Sequence, residues 1–396
     1  MEQIKNFSDP DESEKKHALL SVLEGWLFSR VCLLLTAWFA PHFAGNPTYT
    51  RYLERGFFLT PKQLLDIWCR WDSEWYFSIV KYGYVPAADL SAGYSNLAFF
   101  PLYPWLIRGL TFWLPAAHRE GLAIFLGLLI SNLAYIAALY GIWRLARLFF
   151  DEETSSRSVI LYLCLPCAFF FTAFYTEGLF LCLSVYAVFF AERKKWFLSA
   201  GLMALAALTR PHGALLLIPV FIIYLRSCGW KWSNLDWRGV SFLLVPAAVA
   251  GHFYYLYTLT GDYFAFFKAM SAWGRSVHAA SPAAWLADFL SPLKGNHAQP
   301  AAVDLALILF ALIVSILMLL RLRQKEFGWY SLASVLVLLS SGVLLSLSRY
   351  VSVIFPVWIY AAGRIKNKKI FYGLCALMIL FQTIFFIGWV RFYWVD

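Results

Sequence analysis

Apolar residues come in runs of about 16 to 23 along most of the chain, from residue 20 to residue 390, separated by short polar connections. A helix needs about 20 apolar residues to cross a hydrocarbon layer ~30 Å thick. The pattern therefore predicts spans at residues 20–40, 121–143, 158–176, 177–192, 196–209, 212–226, 239–259, 302–320, 328–346, 350–363 and 370–390. That is about eleven helices, a polytopic all-α membrane protein. The two-residue alternation of a membrane barrel is absent from the sequence.

Residues 97–115, LAFFPLYPWLIRGLTFWLP, are apolar but do not read as a span. Pro101 and Pro104 interrupt helical hydrogen bonding and Arg108 interrupts the apolar run, so a surface-lying or re-entrant segment is expected. With that segment left out, the basic residues fall on alternate connections. Arg144, Arg147 and Arg157 mark one, Arg193 to Lys195 the next, then Arg226 to Arg238, Arg321 to Lys325 and Arg364 to Lys369. Lys and Arg are retained on the cytoplasmic side. Residues 1–19 are then a cytoplasmic tail, 41–119 a large first extracytoplasmic loop and 260–301 a second one, all within one integral membrane domain spanning 1–396. In the first loop Leu64, Trp68, Trp71, Trp75 and Ile79 recur every three or four residues, and Asp66, Arg70 and Glu74 recur at i, i+4. This predicts one amphipathic helix lying in the interface, with Asp72 about 100° from Trp71 at the edge of its apolar stripe.

Composition removes the soluble classes. The chain is 61% hydrophobic and only 14% charged, too little polar surface to cover a soluble core. The net charge of +10 sits at span ends rather than in one patch, so it sets topology and does not point to nucleic acid. The opening MEQIKNFSDPDESEKKH lacks the pattern of a cleaved leader, and no removal is expected. Cys164 and Cys167 have C-x-x-C spacing inside an apolar run with no second pair, so the cysteines read as small buried residues and no metal site is assigned.

The ionisable residues at the non-cytoplasmic ends of the spans form a short set: Asp72 in the loop, Glu177 in FYTEG, Arg210 and His212 in TRPHG, and Arg349 in SRY. Arg70 and Lys81 flank Asp72 and complete the candidate substrate contacts. One acid with several cations suits displacement at a sugar anomeric carbon with a lipid phosphate as leaving group. The aspartate takes the proton of the attacking hydroxyl, and arginine forks hold the phosphate as it gains charge. Plainer readings stand beside this one. Asp72 pairs Arg70 or Lys81 on a surface helix; Glu177 locks two helices; Arg210 and Arg349 snorkel; His212 caps a helix start. No required cofactor is indicated, and a divalent cation on Asp72 or Glu177 stays open.

The segments WDSEWYFSIVKYGY, LAFFPLYPWLIR, FYTEGLFL, LTRPHGALLLIP and SRYVSVIFP, in that order between about residues 20 and 365, resemble the PIG-V family of GT-C-type mannosyltransferases, above all its bacterial members. The resemblance implies a GT-C fold in a bacterial cytoplasmic membrane with its site on the extracytoplasmic side. It implies a loop acid as general base, a polyprenyl- or dolichyl-phosphate sugar as donor, typically mannose, inversion at the anomeric carbon, and a lipid or glycan acceptor. Carried over by motif, the base is Asp72, and the acid of the YTE element and the basic residues of the RP-x-G and RY elements are Glu177, Arg210 and Arg349. Ser73 and Glu74, where glycine often follows the aspartate, and His212 depart from the family pattern. Two other classes are open: a transporter or flippase of lipid-linked sugars, which should show repeats and broken helices meeting at the midplane, and a non-catalytic scaffold.

Overall fold

The computed structural model describes residues 10–42, 57–85, 93–272, 301–340 and 346–395. Most of the expected second loop and residues 1–9 of the expected tail lie outside that set. Among the described residues the architecture is helical: α1 (Glu12–Phe39), α2 (Gln63–Asp66), α3 (Asp72–Tyr82), α4 (Leu102–Thr111), α5 (Ala116–Ala146), α6 (Glu152–Cys164), α7 (Glu177–Glu192), α8 (Trp196–Thr209), α9 (Leu217–Ser227), α10 (Leu244–Thr260), α11 (Ala265–Ser271), α12 (Ala301–Arg321), α13 (Lys325–Ser340), α14 (Leu347–Ser352), α15 (Phe355–Arg364) and α16 (Lys368–Val390).

Five helical stretches among the described residues are long and apolar enough to cross a membrane: Glu12–His42, His118–Ala146, Trp237–Thr260, Ala302–Arg321 and Lys368–Val390. With this composition they make the chain an integral membrane protein. The first exposes Leu20, Leu27, Phe28, Leu35, Trp38 and Phe39, an outward face that hydrocarbon rather than water can cover. Between them, helices also form at the expected runs 177–192 (α7) and 196–209 (α8) and over part of 212–226 (α9). At 1.5 Å per residue, 16-residue α7 reaches only about 24 Å. It is instead the inner post of the bundle, buried along most of its length and packed on α5 and α8.

Several expected elements are broken, each for a local reason. The 158–176 run is not one helix, because Pro166 holds Leu165 extended (φ −54°, ψ 138°) and ends α6 at Cys164. The chain continues as a short 3-10 turn, Ala168–Phe171, and an irregular stretch to Thr176, all buried in protein, which is where non-helical backbone is tolerated at membrane depth. The 350–363 run is likewise divided, into α14 and α15. The amphipathic helix expected from Leu64 to Ile79 is interrupted between Asp66 and Asp72. Within 97–115 the structure has the ten-residue α4, about half the length a span needs.

The polar connections gather at the two ends of the bundle. At one, Arg147 lies 3.4 Å from Glu14, Arg157 donates to the Ile365 carbonyl at 2.6 Å, Lys368 lies 3.3 Å from Glu153, and Arg226 lies 2.7 Å from Glu192 while also pairing Glu326. This is the end rich in Lys and Arg. The opposite end holds an aromatic cluster around Trp71, Tyr76, Tyr103, Phe170, Tyr175 and Trp389.

Gly213 is where one turn of that opposite end is made. A Cβ there would sit 2.3 Å from the backbone of Ala206 and Ala207, too close for any side chain. Gly213→Val is expected to lower the thermal midpoint of the detergent-solubilised protein by many degrees, whereas Gly201→Ala, whose Cβ would meet nothing within 4 Å, should leave it unchanged.

Candidate functional site

Asp72 is the first residue of α3, and its placement depends on a sharp bend. Trp71 has φ 50° and ψ −110°, a conformation a bulky residue adopts only under constraint, costing about 1–3 kcal/mol. Long-range contacts hold it there. The Tyr175 hydroxyl accepts from the Asp72 N–H at 3.1 Å and donates to the Arg70 carbonyl at 3.0 Å, bridging the bend, and the Phe174 N–H donates to the Trp68 carbonyl at 3.0 Å. From the far end of the chain, the Trp394 ring lies 4.9 Å from that of Trp71, and the Trp389 indole N–H donates to the Ile67 carbonyl at 2.7 Å. The start of a helix is also where a carboxylate is favoured by the exposed N–H groups and the dipole.

Glu177 begins α7 in the same way, after the irregular stretch, and is 1% exposed at its side chain. Gly178 beside it admits no Cβ, since one would lie 2.4 Å from the Phe171 carbonyl oxygen and 2.8 Å from that of Ser131. Arg210 is the residue after α8; Pro211 keeps it extended (φ −154°, ψ 143°), which turns its side chain out of the helix register. Arg349 lies on the six-residue α14, whose start is fixed by Asp304 accepting from the Ser348 N–H at 2.6 Å.

These four side chains form a line of alternating charge. Arg349 Nη1 donates to Asp72 Oδ2 at 3.0 Å, Arg349 Nε lies 3.1 Å from Glu177 Oε1, and Arg210 Nη1 lies 2.6 Å from the same oxygen. The two contacts to Glu177 are charge contacts off the hydrogen-bonding direction, and Glu177 Oε2 accepts no hydrogen bond among the described residues. Side-chain exposure along the line is 14% at Asp72, 8% at Arg349, 1% at Glu177 and 6% at Arg210, so the aspartate is the more accessible of its two ends. Burial opposes charge on both arginines, but the carboxylates outweigh it. Asp72 and Glu177 hold Arg349 well above the ordinary arginine value, and Glu177 raises Arg210. Aromatic faces complete the wall: Tyr350 lies 4.4 Å from the Arg210 guanidinium, and Phe170 and Tyr175 lie 5.3 and 5.2 Å from that of Arg349.

The remaining candidates lie elsewhere or at the edge. His212 is half-buried with its ring 5.6 Å from that of Tyr350, one aromatic ring away from Arg210. Arg70 is not in the line. It is buried against Asp66 at 2.8 Å, and Asp66 in turn accepts from the N–H groups of Phe58, Leu59 and Thr60, so the pair pins the loop before the bend. Lys81 lies at the surface, 2.7 Å from Glu120. Among the described residues no group of three or more His, Cys, Asp or Glu side chains could hold a metal ion. The sequence reading did not single out Tyr175, Asp304, Tyr350, Trp389 or Trp394. Tyr175 sits within FYTEG, and Asp304 is an acid inside an apolar run, a signal in itself. The two tryptophans carry no local signal, since their role depends on chain more than 300 residues away.

The fold and this line of charges define a polytopic helical membrane protein with a largely buried polar site at one end of its bundle. Residues 100–255 match the family model described as dolichyl-phosphate-mannose-protein mannosyltransferase, a stretch that carries Glu177, Arg210 and His212 but not Asp72 or Arg349. A crystal structure of the Archaeoglobus fulgidus oligosaccharyltransferase in its apo form is similar over 92% of this chain at 13% identity, with a TM-score of 0.41; the chain spans 56% of that structure's length. No curated protein matches the sequence.

Removing one charge from a buried pair leaves the other uncompensated, at a cost of about 3–5 kcal/mol. Glu177→Gln and Arg210→Gln are each expected to lower the thermal midpoint clearly, and the double variant by less than the sum of the two, the signature of direct coupling. Tyr175→Phe removes the bridging hydroxyl and should cost about 1 kcal/mol. An equal loss in Tyr84→Phe, whose hydroxyl donates to the Phe99 carbonyl at 2.6 Å, would show that the bridge at Asp72 contributes nothing special.

Proposed function

We propose that this protein is a GT-C-type glycosyltransferase that moves a sugar from a polyprenyl-phosphate donor to an acceptor hydroxyl, with inversion, on the extracytoplasmic side of the membrane. The observation that carries the reading is the Asp72–Arg349–Glu177–Arg210 line: a partly accessible carboxylate at a helix start, backed by two guanidiniums that share a buried glutamate. The family match over residues 100–255 and the motif resemblance to PIG-V-like enzymes both make mannose the sugar to test first.

In this mechanism Asp72 accepts the proton of the acceptor hydroxyl while its oxygen bonds to the anomeric carbon. The bond from that carbon to the donor phosphate oxygen breaks, its electron pair leaves with the polyprenyl phosphate, and inversion follows from attack on the opposite face. Arg349 stabilises the departing phosphate. It is bound to Asp72 at rest, so a phosphate drawing the guanidinium away would also free that carboxylate oxygen to meet the acceptor hydroxyl. Arg210 supplies the second positive group, and Glu177 Oε2 is available to accept from a sugar hydroxyl. The broken runs at 158–176 and 350–363 are what a transporter would also have, but the polar line gathers where helix ends meet at one end of the bundle rather than midway along the helices, which favours the transferase reading.

The test is transfer of labelled mannose from a polyprenyl-phosphate donor by purified protein, with lipid extract as acceptor. Asp72→Asn should remain folded and lose transfer by about 10²–10⁴-fold. Arg349→Lys keeps a positive charge but loses the fork, and should raise the KM for donor about tenfold or more. Full turnover by Asp72→Asn would remove that residue as base, and no transfer by wild type from any lipid-phosphate sugar would remove the enzyme class. For sidedness, a cysteine at exposed Lys81 should react with an impermeant thiol reagent on intact cells, and one at exposed Lys368 only after lysis, both read in a background cleared of reactive native thiols.

A further inference from the structure

A second space that the proposed reaction leaves unexplained lies at the other end of the bundle. A cleft of about 520 Å³ opens between the first turns of α1 and the facing ends of α5 and α6. This is the size range of a small-molecule or single-chain site. The cleft is a wedge. It is narrow where Gly25 meets Leu163, so tightly that a Cβ on Gly25 would lie 2.7 Å from Leu163 Cδ1, and its charged lining residues, Asp11, Glu14 and Glu152, lie at the basic end. Its deep part is apolar, with Val22, Val159, Ile160 and Leu163 as walls.

Its mouth is acidic despite lying at the basic end. Asp11, Glu14 and Glu152 line it, facing Arg147. The acids are held in place. Asp11 and Glu14 form a reciprocal cap on α1, with Glu14 N–H to Asp11 Oδ1 at 2.8 Å and Asp11 N–H to Glu14 Oε2 at 3.1 Å. Glu152 accepts from the Trp143 indole at 3.1 Å and from Ser156 at 2.9 Å. Arg147, 3.4 Å from Glu14 and 3.2 Å from Glu152, balances only part of this negative charge. His17 and Ser21 lie on the same face of α1, one and two turns beyond Asp11 and Glu14.

We propose that this cleft binds a phospholipid with a primary-amine headgroup, one acyl chain in the wedge and the ammonium against Asp11 and Glu14, with His17 and Ser21 beside the phosphodiester. The acidic mouth disfavours anionic headgroups, and the apolar walls disfavour a soluble amine with no chain. The site lies at the opposite end from Asp72 and does not rest on the proposed transferase activity.

Native mass spectrometry of the detergent-solubilised protein, offered phosphatidylethanolamine and phosphatidylglycerol together, tests this. The wild type should retain the ethanolamine lipid at least tenfold over the glycerol lipid. Ser21→Trp, at an exposed lining position, should abolish retention by filling the wedge, and Asp11→Asn with Glu14→Gln should abolish the preference. The second variant keeps the cap, because asparagine caps helices as well as aspartate does, so it carries the test should Ser21→Trp fail to fold. Equal retention of the two lipids by wild type, or a preference unchanged in the amide variant, would overturn the proposal.

Discussion

Glu177 is the charge on which the site end of the molecule depends. A carboxylate 1% exposed is stable there only with cations against it, and both that reach it come from elsewhere in the chain, Arg210 from the end of α8 and Arg349 from α14. Their convergence pins the C-terminal half of the bundle to the start of α7, and Arg349 carries the link on to Asp72 in the loop. The tight turns at Gly178 and Gly213 belong to the same requirement, since the backbone must approach closely wherever these side chains are to meet. A polar line of this kind is costly in a membrane protein and is kept rigid by what surrounds it, here the faces of Phe170, Tyr175 and Tyr350.

Much of this was legible before the fold. Asp72, Glu177, Arg210 and Arg349 stand out in the sequence because ionisable residues are rare in an apolar chain, and the charge bookkeeping places all four at one end. The structure does bring them together. Arg70 looked equally eligible beside Asp72, and nothing in the spacing showed that Asp66 would take it as part of a buried pin for the loop. The broken helices divide in the same way. Pro166 announces the end of α6, but the three- and four-residue rhythm from Leu64 to Ile79 describes a helix that the structure interrupts. Periodicity is local, whereas the bend at Trp71 is imposed by Tyr175, Trp389 and Trp394, which no window over the loop contains.

The two ends of the bundle use charge differently. At the basic end, Arg147 and Arg157 meet largely exposed carboxylates and Arg226 pairs the more buried Glu192 and Glu326, each pair joining helix ends. At the other end the pairs are buried and sequential, so displacing one member shifts the balance at the next.

The indole of Trp389 bonding the Ile67 carbonyl, with Trp394 against Trp71, has a consequence for how the molecule is made. Tyr175 reaches the bend from about 100 positions on, but Trp389 and Trp394 follow it by more than 300, so the loop has emerged and waited through the insertion of nearly every helix before its last anchors exist. At synthesis rates of about 5–20 residues per second that wait is on the order of tens of seconds. A ribosome stalled before residue 389 therefore leaves a bundle in the bilayer whose bend at Trp71 has the Tyr175 bridge but neither tryptophan behind it.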